Sequence, residues 1–526
     1  MTPDASSVMT EPIRPSVRRG PLSAFEANAD RPRAFDTEVD VAIIGLGPVG
    51  ATLAGLLACC GLTVAVLERD PEIYRLPRAV HFDGECMRVF QTLGLAMRLE
   101  ERLIVSPGMK FIDADGRLLI DWSRPRQMGP QGWYPSYRFH QPDLDHCLRA
   151  NLHEQPCISQ LLRCEVFSLR EHADHVEICY EDLANGRLCS LRAAYVVGCD
   201  GARSLVRRFI GSELYDLHSH QRWLVLDLLL KRDRPDLGDH SVQFCDPRRP
   251  ATYVRGVGER RRWEFMLMPG DDPQQLITPH SVWGLLAPWL SPDDASIERQ
   301  ALYTFHAAIA RQWRRDRLLI AGDAAHQTPP FMGQGMCAGI RDAANLAWKL
   351  AAVLKDGATP DLLDTYESER LPHVQVFVET AVRLGHIIQA TDEQAVRARD
   401  EHMSAHPSYF ATPDPPLGKG AHQAGKWGGR LSQQPLLADE RRFDDRVGYR
   451  FALVHDANLD PRELQRRNGD TQFVCADEDA LAHMLGALGA RAVLIRPDRY
   501  IAGTADSADE LAQLMTRYAL DGSRAG

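Results

Sequence analysis

What the sequence lacks narrows the field first. Twelve cysteines are present without one C-x-x-C: Cys59 and Cys60 are adjacent and the rest are scattered from Cys86 to Cys475. Zinc ribbons, dithiol redox centres and small disulfide scaffolds are therefore unsupported. No N-x-[ST] occurs either, and unpaired thiols with no glycosylation signal fit a reducing cytoplasm. Positive charge is not in excess. With 61 Lys+Arg against 71 Asp+Glu, the net charge of −10 gives nucleic acid no global basic surface. Residues 1–37, rich in Pro, Arg, Ser and Asp, have no apolar h-region, so they read as a flexible extension and not a secretory signal. An unbroken apolar run is also missing. Val41–Leu67 carries no charge, but Gly45, Gly47, Pro48, Gly50 and Gly61 cut it into a strand (39–45), a helix (48–60) and a second strand (62–67). That punctuation argues against a membrane span.

What is present is an ordinary globular composition, 44% hydrophobic and 25% charged over 526 residues. That length suggests about three or four folding units. Gly45-Leu-Gly47-Pro-Val-Gly50 is a G-x-G-x-x-G placed after a strand and at the start of a helix. The first glycine permits the turn, the second admits a pyrophosphate, and the third lets helix and sheet pack closely. The helix N-terminus adds free N–H groups and a positive dipole end. Glu68 closes the second strand and suits ribose hydroxyls, which predicts the adenosine end of FAD or NAD and disfavours NADP.

Two later segments repeat the theme of a buried strand ending in glycine and aspartate. One is YVVGCDGARSLVRR from Tyr195, with Cys199-Asp200-Gly201. The other is LLIAGDAAHQTPPFMGQGMCAGIRDAANLAWKL from Leu318, with Gly322-Asp323. Pro329 and Pro330 extend the second loop, and Gly333 and Gly335 allow close backbone approach. The helix that follows opens on glycine, so its N–H groups can face a ligand that becomes negative. Either segment alone is an ordinary turn or core helix; the ordered trio is not.

GLGPVG, CDGARS and GDAAHQTPPFMGQGM together resemble the FAD-dependent aromatic hydroxylases, the class A flavoprotein monooxygenases typified by p-hydroxybenzoate hydroxylase. PRAVHFDGECMRVFQTLGL (77–95), GQGMCAGIRDAANLAWKLAAVL (333–354) and LIRPDRYIAG (494–503) resemble the subfamily acting on 3-(3-hydroxyphenyl)propionate and 3-hydroxycinnamate. The resemblance implies an α/β fold of mixed α+β character. A Rossmann-like FAD-binding domain (38–110, 140–210 and 300–400) is interleaved with a substrate-binding sheet domain (111–139 and 211–299). A degenerate thioredoxin-like tail without C-x-x-C follows at 430–526. It implies FAD binding by Gly45, Gly47, Gly50, Glu68, Arg69, Arg78, Gln141, Asp200, Gly322, Asp323, Gly335, Met336 and Cys337, the last standing where the superfamily usually has asparagine. It places the Pro330 carbonyl near the substrate hydroxyl, with His326 in the same loop either as a catalytic residue or as one that only orders the loop. Tyr253, Arg255 and Arg262 are candidates to grip a carboxylate or phenol, or else solvated strand faces.

The implied reaction consumes NADH or NADPH and O2, and hydroxylates a phenolic acid to a 2,3-dihydroxy product through a C4a-hydroperoxyflavin. No second G-x-G-x-x-G is visible, so the nicotinamide cofactor visits transiently. No metal is expected, because His218 and His220 lack further ligands at suitable spacing. A small aromatic substrate, no nucleic acid, no membrane and a homodimer as an open option complete the expectation. Two alternatives stay open: a hydroxylase of larger polycyclic or polyketide phenols, and a non-catalytic flavin-binding partner or sensor. A halogenase would need W-x-W-x-I-P, which is absent. Gly420-x4-Gly425-Lys426 is no Walker A motif, because Trp427 replaces the Ser or Thr that binds Mg²⁺.

Overall fold

The structure, a computed structural model, describes residues 38–518 apart from 76, 406, 460–464 and 466–470. The extension expected at 1–37 lies outside the described residues. Strand Glu38–Ile44 (EVDVAII) becomes fully buried over its last four positions, as a strand covered on both faces must. It pairs in parallel with Val64–Glu68 on one side and Arg187–Gly198 on the other, and Leu318–Ile320 extends the parallel set. The sheet has eight strands, with a β-hairpin at 164–182 added at one side.

This register explains the trio of motifs. Gly45, Cys199-Asp200 and Gly322-Asp323 each follow directly on one of three neighbouring parallel strands, so all three loops emerge at the same carboxyl edge. In open α/β sheets that edge is where ligands sit. Helices Pro48–Cys59 and Gly335–Lys355 pack together against the sheet.

A second, nine-stranded sheet is mostly antiparallel. Its order runs His326–Gln327, Ala295–Ala310, Leu214–Leu230, Arg260–Met266, Ala251–Arg255, Ser241–Phe244, Gly108–Ile112, Leu118–Ser123 and Ser408–Tyr409. The expected boundaries cut through this sheet and need correction. Gly108–Ile112 straddles the 110/111 division, and Ala295–Ala310 crosses the one at 299/300 while pairing along Leu214–Leu230. Conversely, Ser136–Arg138, assigned to the substrate unit, pairs with His81–Asp83 and Ile104–Val105 in a separate three-stranded sheet. Strand pairing is a long-range property, and composition along the chain does not reveal it.

The tail forms a four-stranded sheet ordered Gln472–Cys475, Ala452–His455, Ala492–Ile495, Ile501–Ala505, with the first pair parallel and the others antiparallel. Among the described residues no helix is long and apolar enough to cross a membrane.

The tail docks through LIRPDRYIAG. Arg496 donates from Nη1 and Nη2 to the two carboxylate oxygens of Glu369, each at 2.9 Å, inside the protein. Lys349 Nζ and Asn345 Nδ2 reach Glu369 Oε2 at 2.8 Å, and Asn345 also donates to Asp498. Nearby, Arg88 pairs with Asp444, and Tyr500 donates to Glu85 at 2.8 Å. Burial would raise the Glu369 pKa, but Arg496 and Lys349 hold it well below the usual carboxylate range. Its contribution to stability is therefore full above the unfolded value of 4.5 and is lost as pH falls below it. Glu369→Gln is expected to lower unfolding free energy by about 3–5 kcal/mol at pH 7, because Lys349 loses its counter-charge and Arg496 keeps only Asp498. Urea denaturation at pH 7 and pH 4 measures this, and the gap between variant and wild type should narrow at the lower pH.

Candidate active site

At the carboxyl edge of the parallel sheet, a cavity of about 350 Å³ runs from the first glycine turn to the inner face of the antiparallel sheet. Its nucleotide end is built by the glycines. Gly45 has φ +102°, and a Cβ there would stand 2.4 Å from Cys199 O. A Cβ on Gly50 would meet Gly45 O at 2.1 Å, so helix and turn touch backbone to backbone. Gly47 differs: it lines the cavity, and a Cβ there would meet nothing within 4 Å. The open space in front of Gly47 is what a pyrophosphate needs, beside a helix start with no side-chain cap.

Glu68 accepts the Leu46 N–H at 2.8 Å and the Asp70 N–H at 2.9 Å, which orients its carboxylate beside the turn. Asp323 lines the cavity with its side chain open to that space, and desolvation raises its pKa. Gly335 and Met336, at the uncapped start of helix Gly335–Lys355, form the opposite wall. These features fit FAD: Gly47 and the Pro48 helix start would face its pyrophosphate, Glu68 and Asp323 its hydroxyl groups, and Gly335 and Met336 its ring.

Other expected cofactor residues also hold neighbouring segments in place, and of these Gln141 lines the cavity itself. Gln141 Oε1 accepts the N–H groups of Arg78 and Ala79, each at 2.8 Å, and so fixes the Arg78 segment along the cavity. Asp200 Oδ2 accepts the Leu205 N–H at 2.6 Å and holds the turn after Gly201; burial raises its pKa. Cys337 is buried, its Sγ near Gly333 O and His81 O, so only its neighbours reach the cavity wall. Arg69 is largely exposed near Asp70 and Glu165 and lies off the wall.

Four candidates for direct chemistry are corrected. His326 is fully buried, with Nε2 2.6 Å from Asp342 Oδ2, and does not line the cavity. Tyr253 and Arg255 lie on the strand face turned away from it: Tyr253 packs on Trp263 and Arg255 donates to Gly258 O, while Thr252 and Val254 form the wall. Arg262 does line the cavity, but it is committed to Asp227 and to the carbonyls of Pro77 and Arg78. Pro330 also lines it, with its carbonyl accepting the Gly333 N–H at 2.8 Å. Away from the site, His220 and Asp216 meet at 2.7 Å and His220 and His306 at 2.8 Å, neighbours the spacing did not reveal.

The sequence reading missed several residues that the fold brings here. His81, Arg124, Arg138, Gln243 and Glu264 line the sheet end of the cavity together with Met109, Phe331 and Met332. His81 lies in PRAVHFDGE, a segment noted only as a family likeness. Burial and the Arg124 charge lower its pKa to about 3, so it is neutral. Its Nδ1 faces Gly333 O at 3.3 Å and its Nε2 faces Arg124 Nη1 at 2.5 Å. A neutral ring satisfies both contacts only with Nδ1 donating and Nε2 accepting. Asp342 was also missed: Oδ2 accepts the Gly322 N–H at 3.0 Å and Oδ1 the Arg370 Nε–H at 2.9 Å.

A family model described as an FAD binding domain matches residues 38–381, and one described as the HcaD C-terminal domain matches 428–520. The chain belongs to the FAD-dependent aromatic hydroxylases. It is 37% identical to a probable NADH-specific resorcinol 4-hydroxylase of Rhodococcus jostii, over 94% of this chain and 96% of the relative. It is 32% identical to a 3-(3-hydroxy-phenyl)propionate/3-hydroxycinnamic acid hydroxylase of Burkholderia cenocepacia, over 89% and 94%. The fold is shared with the flavin-dependent monooxygenase PieE, solved with FAD and substrate: TM-score 0.81 at 22% identity, covering 92% of this chain and 99% of that one. This hydroxylase is thus a flavoprotein monooxygenase that uses FAD and a nicotinamide reductant.

Two measurements test the site. Gly47→Ala should leave the fold intact and weaken FAD binding at least ~10-fold, whereas Gly50→Ala should cost about 1–3 kcal/mol of stability from overpacking. Thermal melts and flavin-fluorescence titrations separate the two effects. Asp145, one turn along from Gln141, has its pKa pushed up to about 7 by burial. The folded state then holds a proton that the unfolded state releases, so stability falls as pH rises from 3.8 to about 7. Asp145→Asn should remove that slope and exceed wild type by roughly 2–4 kcal/mol above pH 8.

Proposed function

We propose that this hydroxylase adds one oxygen atom to the ring of a small phenolic acid of the 3-(3-hydroxyphenyl)propionate or 3-hydroxycinnamate type, giving the 2,3-dihydroxy product. The observation that carries this reading is the single cavity whose wall runs from the flavin-binding loops to the antiparallel sheet. FAD supplies hydride acceptance from NAD(P)H and activation of O2. In balance, phenol, O2, NAD(P)H and a proton give catechol, NAD(P)⁺ and water.

The chain's own residues position the ring and keep water away. Met109, Val254, Phe331 and Met332 offer an apolar slot for an aromatic ring. Phe331 is buried against Trp223 and Gly385, which fixes that wall. The Arg124 charge, oriented by neutral His81, favours an ionised phenol over a neutral one, and ionisation makes the ring electron-rich. Pro330 lines the same cavity beside this slot.

A second reading takes resorcinol as substrate, favoured by the Rhodococcus relative's name and its match along nearly the whole chain. Purified holoenzyme is mixed with NADH or NADPH and each phenol, and the product mass is measured. 3-(3-Hydroxyphenyl)propionate should stimulate NAD(P)H oxidation at least ~10-fold and gain one oxygen. Stimulation by resorcinol alone would transfer the assignment to the second reading, and stimulation by neither would reject both.

A further inference from the structure

The sheet end of the cavity holds two arginines that have no acid to match, Arg138 buried and Arg124 half-buried. Arg138 is 3% exposed, on strand Ser136–Arg138, and its single side-chain hydrogen bond is a long one, from Nη2 to Ser241 Oγ at 3.4 Å. Arg124 is held by neutral His81 and by Ser136 Oγ and stacks on the Trp122 ring at 4.7 Å. Among the described residues, neither has a carboxylate within ion-pair distance. Other buried cations are satisfied within the protein: Arg88, Arg262, Arg341, Arg370 and Arg496 each meet an acid, and Arg149, Arg207 and Arg261 donate to backbone carbonyls, whereas Arg138 has only the long bond to Ser241. Burying an unpaired guanidinium is costly, so its retention in a cavity wall points to a charge that arrives with the ligand. Desolvation accordingly lowers the pKa of both arginines to about 10.

The two differ in what they reach. Both flank His81: Arg124 bonds its ring, whose Nδ1 faces Gly333 in the loop that precedes helix Gly335–Lys355, while Arg138 is the strand partner of His81 and reaches across to Ser241 on the antiparallel sheet. Arg138 belongs with Ser241, Gln243 and Thr252 on the sheet. Thr252 donates to Gln243 Oε1 at 2.6 Å, which leaves the Gln243 amide nitrogen facing Met109 sulfur and available to an acceptor. Glu264, the nearby acid on the wall, stands 3.9 Å from Arg262, and burial raises its pKa.

We propose that Arg138, with Ser241 and Gln243 beside it, is the anchor for the substrate's carboxylate, making the enzyme selective for phenolic acids over neutral phenols. This assignment rests on the aromatic-hydroxylase reading and chooses between its two substrate classes. Arg124 then remains for the phenol oxygen. Two-point recognition of this kind orients a ring carrying its acid arm and its hydroxyl on separate positions.

The test uses holoenzyme and two probes that cannot be hydroxylated as phenols, 3-phenylpropionate and 3-phenylpropan-1-ol, titrated by the change in flavin absorbance. Wild type should bind the acid at least ~10-fold more tightly than the alcohol, as a charge-assisted hydrogen-bonded pair supplies. Arg138→Gln should weaken the acid by ~10–100-fold and leave the alcohol within about threefold, and Arg138→Lys should recover part of the loss. FAD content and melting temperature, measured alongside, identify a variant that has lost its fold, in which case the Lys variant and wild-type selectivity decide. Equal binding of both probes by wild type, or parallel loss of both in a folded variant, overturns the anchor. Failure of the hydroxylation reading looks different: the acid is bound selectively, yet no phenol stimulates NAD(P)H oxidation.

Discussion

One buried carboxylate holds the active-site loops in place. Asp342, on the helix that starts at the flavin wall, accepts the Gly322 N–H, the His326 ring and the Arg370 guanidinium, and none of these three groups has access to bulk water. An ion in such a place persists only when its oxygens are satisfied, so loop, helix and neighbouring helix are held in one arrangement. Asp323 follows Gly322 directly and therefore inherits its position from Asp342. Close contact reinforces the pin: a Cβ on Gly339, one turn before Asp342, would stand 3.0 Å from Gly322 Cα. Arg207 adds a tie between loops, donating to Ala324 O and Ala202 O, so the second and third motifs move together.

The nucleotide half of the site was legible in the sequence because its requirements are local. A left-handed turn, a close backbone approach and an uncapped helix start each demand glycine at a fixed offset, and those offsets survive in the primary structure. The substrate half was not legible, because its side chains come from strands far apart in the chain. Arg124 and Arg138 reach the same cavity as Ser241 and Thr252 only through the pairing of the three-stranded and nine-stranded sheets. Strand parity misled as well. Tyr253 and Arg255 are chemically attractive, but alternate residues point to opposite faces, and the sequence does not say which face is inward. Thr252 and Val254 have the useful parity.

His326 illustrates a different case. Its loop left open either contact with substrate or ordering of the loop, and its work is the second, completing the shell around Asp342. Arg262 is similar, a cation at the cavity whose donors are spent on Asp227 and on the backbone that carries Arg78. In both cases the chemistry of the residue was read correctly and its partner was not, since the partner lies on another element.

The tail looks like an appendage in the sequence, a module of its own with its own sheet. Its seam with the rest is nevertheless made of Glu369, Lys349, Arg496 and Asn345, groups that water cannot reach while the parts are joined. Parting the two would strand opposite charges in apolar surroundings before solvent could screen them. The seam therefore couples the tail to the body it docks on, so that loss of one is expected to carry the other with it.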